Sequence, residues 1–180
     1  MESQLTIAKN NNHKLIKAYG KLEKILTDPA YLELLDDFLC NSTIDTNHWM
    51  NSDYPKNQNH PEHLNHKTVR GLYVRSKSES MIAMALSERE IPFRYENIII
   101  LNDIPIAPDF TIIHPKTGKT IYWEHFGMID NPTYYQDFTL KIKTYCQSNI
   151  ILGDNLIASF ETTEAPLTYA TIDNIINQYF

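Results

Sequence analysis

Cysteine is nearly missing from this chain: Cys40 and Cys146 are the only two. Two lone cysteines build neither a disulfide framework nor a zinc ribbon, and they suit a reducing cytosol, so a cytoplasmic location is expected. No apolar run approaches the ~18 residues a membrane span needs, and no membrane partner is expected. The first stretch, Met1 to Lys14, has no cationic start followed by an apolar block, which argues against a secretory signal. Glycine is also scarce, five residues in 180. None of the glycine-built signatures is present: no GxGxxG, no P-loop and no GxSxG. Positive charge is in deficit, 16 Lys and Arg against 22 Asp and Glu, for a net charge of −6. That balance disfavours non-specific binding of nucleic acid over the whole surface and leaves such binding to a local basic groove.

What is present is the composition of a soluble globular protein, 42% hydrophobic and 21% charged, in a chain long enough for one domain with a real core. Residues 13–40 carry apolar side chains near a helical period, with Leu15, Ile16, Tyr19, Leu22, Ile25 and Leu26 on one side. Asp28-Pro29 punctuates this stretch as an N-cap followed by the first helical position. Residues 41–68 are polar and irregular, a long strap for a compact domain, tied down by Trp49, Tyr54 and Leu64. It holds His60, His63 and His66. Spaced three apart, they would share a helix face, which raises a zinc site as one reading; the absence of a nearby cysteine and the Pro61 inside the run favour a solvated loop. The division expected is 1–68 as a helical extension and strap packed on the core, and 69–180 as the core domain.

From residue 69 the patterning predicts helix, three strands, helix, strand. Ser76-Lys77-Ser78-Glu79 fits a capping box. Two compatible readings of Glu79 follow. It is a capping residue, and with Ile82 and Leu86 it heads the stripe that faces the core, where it would extend a carboxylate cluster. Arg75 and Lys77 sit at the helix start, where the dipole disfavours cations, a placement better understood if they meet phosphates. Arg94 to Leu101 reads as one strand, and Asn102 to Pro105 turns the chain into the next.

Ala107–Ile113 and Thr120–Phe126 read as two strands joined by a Pro- and Gly-containing loop. Alternation puts Asp109 on a face with Thr111 and Ile113, and Glu124 on a face with Tyr122 and Phe126. If these faces coincide, two carboxylates meet over an apolar surface. That is costly unless a cation neutralises them, and hard oxygen ligands of this kind suit Mg²⁺ or Mn²⁺. The plainer alternative makes Asp109 a turn residue and Glu124 a solvent-facing one. Asn131-Pro132 opens a helix on which Tyr134, Phe138, Ile142 and Tyr145 share a face. Lys141 lies at the edge of that face, either reaching the carboxylates or snorkelling along the surface. Leu156–Phe160 reads as a returning strand, and Thr171–Phe180 as a short amphipathic helix.

These residues resemble the PD-(D/E)XK nuclease superfamily over roughly residues 70–160. Pro108-Asp109 matches the PD element and Glu124-His125-Phe126 occupies the (D/E)XK element, one hairpin further on. The stretches His60–Leu64, Val74–Glu79, PDFTI and WEHFG are similar to a group of bacterial proteins of unassigned role in that superfamily. The resemblance implies a mixed α/β (α+β) fold with a nuclease-like core: helix, three-stranded meander, helix and strand, behind an N-terminal helical extension. It also implies Mg²⁺- or Mn²⁺-dependent hydrolysis of phosphodiester bonds, with nucleic acid, DNA before RNA, as partner. Asp109, Glu124 and the main-chain carbonyl of His125 would hold metal. Glu79 would hold a metal-bound water or a second ion. Arg70, Arg75 and Lys77 would contact phosphates. The family lysine falls at Phe126, which has no cation to offer, and Lys141 is the candidate replacement. The same departure supports the rival reading, a catalytically inactive nuclease-like domain that binds nucleic acid or a partner protein.

Overall fold

A computed structural model describes residues 45–180, which lie in a compact unit running from Thr43 to Phe180. The helices expected over residues 13–40, and Cys40, lie outside the described residues. The class is mixed α and β. Its centre is a four-stranded sheet in the order β3-β6-β7-β8, built from Phe93–Tyr95, Phe110–Ile113, Thr120–Phe126 and Leu156–Phe160. The first three strands pair antiparallel, and β8 pairs parallel to β7. A parallel pair needs a long crossover, and helix α3 (Pro132–Gln147) supplies it.

Helices cover the sheet on both sides. On one side lie α2 (Lys77–Glu88) and α4 (Tyr169–Tyr179). Ile82 and Leu86 of α2, and Ile172 and Ile176 of α4, are buried in one cluster with Phe110, Ile112, Ile121 and Trp123. Both helices start on hydroxyl caps: Ser76 accepts from the Glu79 amide and Thr168 from the Thr171 amide. The two helices are further tied by Arg89 to Asp173 and by the Tyr169 hydroxyl to Glu88. On the other side, α3 lays Tyr145 and Ile142 against Tyr122 and Leu156, and Phe138 against Phe126 with ring centroids 4.6 Å apart.

Arg94 to Leu101 is not one strand. The chain leaves β3 at Glu96, which adopts φ 47°, and Asn97 bridges to Lys56 of the strap. It then enters a separate hairpin of β4 (Ile99–Leu101) and β5 (Ile104–Ile106). Asn102 and Asp103 form its two-residue turn with φ 49° and 64°. Positive φ at both central residues is what a tight hairpin requires, and Asn and Asp tolerate it best after Gly.

The strap is partly ordered into α1 (Thr46–Asn51), capped by Asp45, and a 3₁₀ turn (Pro61–His63). A two-stranded ribbon of β1 (His66–Lys67) and β2 (Tyr73–Val74) follows. Arg94 holds its beginning. Its guanidinium donates to the Trp49 carbonyl at 3.0 and 2.6 Å and stacks over the Trp49 and Tyr54 rings. The Tyr54 hydroxyl donates to the Tyr95 carbonyl, and Leu64 packs on the main core. Among the described residues no helix is long and apolar enough to cross a membrane.

Candidate active site

The register of β6 and β7 pairs Phe110 with Trp123 and Thr111 with Tyr122. Continued by one residue, it sets Asp109, just before β6, opposite Glu124. Both side chains then lie on the α3 side of the sheet, with Tyr122 and Phe126. Glu124 is buried to 1% exposure. It is held from α3 by two residues one turn apart. Lys141 Nζ donates to Oε2 at 2.7 Å, and the Tyr145 hydroxyl donates to Oε1. The i, i+4 spacing places both donors on one helix face. Lys141 also lies 3.4 Å from the Ala107 carbonyl, at the approach to Asp109.

Asp109 is less provided for. Its Oδ2 accepts from the His125 amide at 2.7 Å, which ends the β6–β7 ladder. Burial, and then the Glu124 carboxylate beside it, push its pKa well above the usual carboxylate range, and Lys141 offsets only part of this. Lys141 shows the reverse balance: burial lowers its pKa, but Glu124 and Asp109 outweigh that and raise it. The Tyr134 hydroxyl is raised by burial and by Asp109. Asp109, Glu124, His125, Phe126, Tyr134, Phe138 and Lys141 line one small pocket of about 180 Å³.

The oxygen set fits a hard divalent cation. Two carboxylates from neighbouring strands converge, one of them short of neutralising partners, and each carboxylate oxygen can accept more than one bond. Phe126, where the resemblance would put a lysine, packs between Phe138 and Phe160.

Glu79 comes from the α2 side. Its Oε2 accepts from Tyr95 at 2.6 Å and from the Arg75 amide at 3.0 Å, and its Oε1 from Ser76 at 2.9 Å. The capping role is thus realised. Its charge still bears on Asp109, adding to the upward pressure on that proton. Burial, and then the Glu79 carboxylate, push the Tyr95 hydroxyl far above its ordinary value.

The phosphate candidates separate. Arg75 is used internally, donating to Glu96 at 2.6 and 3.0 Å and to the His60 and Asn59 carbonyls at 2.8 and 2.6 Å. The placement of a cation at the start of α2 therefore has its explanation in Glu96 and the strap. Arg70 donates to the Ser87 carbonyl at the C-terminal end of α2, roughly 12 Å along the helix from Glu79. Lys77 is exposed.

The His125 side chain points away from Glu124, into a buried network behind the site. Its Nδ1 lies 3.0 Å from Ser159 Oγ, which accepts from Trp123 Nε1 at 2.9 Å. Since Ser159 receives that bond, its own proton is free to point at Nδ1. His125 Nε2 lies 3.3 Å from Glu161 Oε1, and Glu161 Oε2 accepts from Ser78 and from the Leu167 amide. The Nδ1 contact ties the end of β7 to β8, while the buried Nε2 finds no hydrogen-bond partner among the described residues.

Sequence reasoning passed over Tyr145 as a polar group, seeing only its apolar side, although its place one turn after Lys141 was the available signal. It also passed over the pairing of Arg75 with Glu96, which only the fold creates. Beside the small pocket lies a groove of about 1000 Å³ between strap residues Asp53 to Asn59, β5 and α3, and Lys141 lines both.

No protein-family model and no solved structure matches the chain. A segment of 67 residues, 37% of the chain, is 36% identical to the uncharacterized protein MJ1519 of Methanocaldococcus jannaschii and spans 6% of that protein's length.

Proposed function

We propose that this chain is a metal-dependent nuclease that hydrolyses phosphodiester bonds, with DNA the first substrate to test. The observation that carries the reading is the convergence of Asp109, Glu124 and Lys141 on one pocket, with Lys141 Nζ 2.7 Å from Glu124. The strand order supports it too: an antiparallel meander followed by a helix and a parallel strand is the arrangement the PD-(D/E)XK resemblance implies.

Asp109 and Glu124 would hold Mg²⁺ or Mn²⁺, with the His125 carbonyl as a further oxygen. An ion held there would supply a water of lowered pKa and charge to offset that of the phosphate. The chain's own residues do the remaining work. Lys141, kept protonated by the two carboxylates, orients the attacking water or steadies charge on the phosphate oxygens. Tyr145 and Lys141 aim Glu124 from α3, and the His125 amide aims Asp109. Glu79 adds negative potential from the α2 side. Lys77, exposed at the start of α2, is the phosphate candidate that stays nearest the site, while Arg70 is held at the far end of α2 by the Ser87 carbonyl and Arg75 contributes by holding the strap.

A second reading has its own observation. Both Glu124 oxygens already have protein donors, and Phe126 offers no cation. This suits an inactive nuclease-like domain that binds nucleic acid or a partner protein, with Lys141–Glu124 as a structural ion pair. The decisive experiment is Mg²⁺- or Mn²⁺-dependent cleavage of mixed DNA and RNA substrates by the wild type, Asp109→Ala and Lys141→Ala. The nuclease reading expects cleavage that EDTA abolishes and that each substitution lowers by roughly 10²-fold or more. Nucleic-acid binding indifferent to EDTA, with no cleavage by any of the three proteins, would establish the second reading.

A further inference from the structure

The strap carries a second group of metal-ligating side chains, remote in chemistry from the carboxylate pocket. His60, Glu62 and His63 offer three ligand atoms that lie within 4.8 Å of one another. His60 Nδ1 is 3.1 Å from Glu62 Oε1, and His63 Nε2 is 3.9 Å from the same oxygen. The two imidazoles lie face to face, centroids 5.2 Å apart and 12° from parallel. A tetrahedral Zn²⁺ with bonds of ~2.0–2.1 Å sets its ligand atoms roughly 3.3 Å apart. The stacked rings must turn out of their parallel arrangement before both lone pairs point at one ion, a rotation that the exposure of all three side chains permits.

The backbone beneath them is already held. The 3₁₀ turn Pro61–His63 begins with a proline, which limits its freedom. The His60 and Asn59 carbonyls accept from Arg75, whose guanidinium is itself clamped by Glu96. The turn does not need to fold around the ion, so the ordering cost that weakens most short surface clusters is largely met beforehand. His66, third in the run of histidines, lies in the β1 ribbon and is not part of the group.

We infer that His60, Glu62 and His63 form a site for a borderline transition-metal ion of the Zn²⁺ class, with water completing the coordination. Two imidazoles and one carboxylate are the donor set such ions select, whereas Mg²⁺ prefers the all-oxygen pocket. To take the ion through Nδ1, which faces Glu62 at 3.1 Å, His60 must leave that nitrogen unprotonated, with any ring proton on Nε2. The ion joins the two ends of the turn that follows the groove-lining segment Asp53 to Asn59. Its consequence is a strap closed by a metal clasp.

The test is a titration of the untagged 180-residue chain with Zn²⁺, and with Co²⁺ read by its visible absorption. One equivalent is expected to bind. His60→Ala and His63→Ala should each weaken it by at least ~10-fold, and Glu62→Gln should weaken it as well. His66→Ala and Asp109→Asn should leave it unchanged. Zn²⁺ should also slow proteolysis of the strap in the wild type and not in His63→Ala. These three side chains are exposed, so the variants retain the fold, which a thermal melt checks. Binding equal in the wild type and His60→Ala/His63→Ala would mean an adventitious ion only. Binding lost in Asp109→Asn instead would assign the ion to the carboxylate pocket. Either result overturns the clasp and leaves the nuclease reading to its own experiment.

Discussion

Asp109 is the side chain whose charge the pocket tolerates least. Its pKa is raised by burial and by Glu124, so the folded chain holds this proton more tightly than the unfolded chain does. Where the folded state binds more protons, stability falls as pH rises. The penalty is absent below the ordinary Asp range and complete once pH passes the higher folded value. Asp109→Asn keeps an oxygen for the His125 amide and removes the charge. Thermal melts in EDTA between pH 5 and 8 should therefore show a shallower decline with pH for Asp109→Asn. Its Tm at neutral pH should be roughly 3–5 °C higher than that of the wild type. Parallel pH curves for the two proteins would mean that Asp109 is not the strained acid. That Asp109 and Glu124 sit on adjacent strands could be read from alternation and one hairpin of spacing. That Glu124 is almost wholly buried, and that Asp109 has no cation of its own among the described residues, could not, because both depend on what α3 lays over them.

At the scale of elements, the strap and α2 are joined by one guanidinium. Arg75 spans Glu96, at the break after β3, and the carbonyls of Asn59 and His60. A planar fork with several fixed donors makes this bridge, and a lysine has a single ammonium to offer in its place. Arg75→Ala should leave Glu96, which is buried, without its partner. The expected cost is about 3 kcal/mol, together with faster amide exchange across residues 53–63. Arg75→Lys should recover less than half of that loss. Full recovery by lysine would show that charge alone holds the strap. This part of the fold escaped sequence reasoning for a physical reason. Arg94 to Leu101 has the apolar and β-branched composition of a continuous strand, yet the tertiary pairing of Asn97 with Lys56 and of Glu96 with Arg75 diverts the chain into a second hairpin. By contrast, α2, α3 and α4 were legible, because their caps and 3.6-residue stripes are local properties that packing reinforced.

At the scale of the whole molecule, the acidic balance and the proposed cation site bear on each other. A chain of net charge −6 repels nucleic acid at long range, and a divalent ion at Asp109 and Glu124 would reverse the local field. An ion bound only by the folded state stabilises it by about 2.7 kcal/mol at a hundred times its dissociation constant. Mg²⁺ at that level should raise the Tm of the wild type by roughly 5–10 °C. NaCl of equal ionic strength is the control for screening. Asp109→Asn should lose most of the Mg²⁺ effect while keeping any Zn²⁺ effect at the strap. An equal response of both proteins to Mg²⁺ would place the ion elsewhere.

The amino-acid order alone decided the helix stripes, the hairpin loops, the alternation that turns Asp109 and Glu124 to a chosen side, and the histidine-bearing strap, because each follows from a period or a turn chemistry a few residues long. The folded chain alone decided which distant groups meet. Lys141 and Tyr145 close on Glu124 because the crossover helix must return over the sheet to place β8 beside β7. Arg75 clamps the strap because the break at Glu96 brings that acid to the start of α2. Contacts of this kind depend on the relative placement of whole elements, and no local pattern of side chains encodes them.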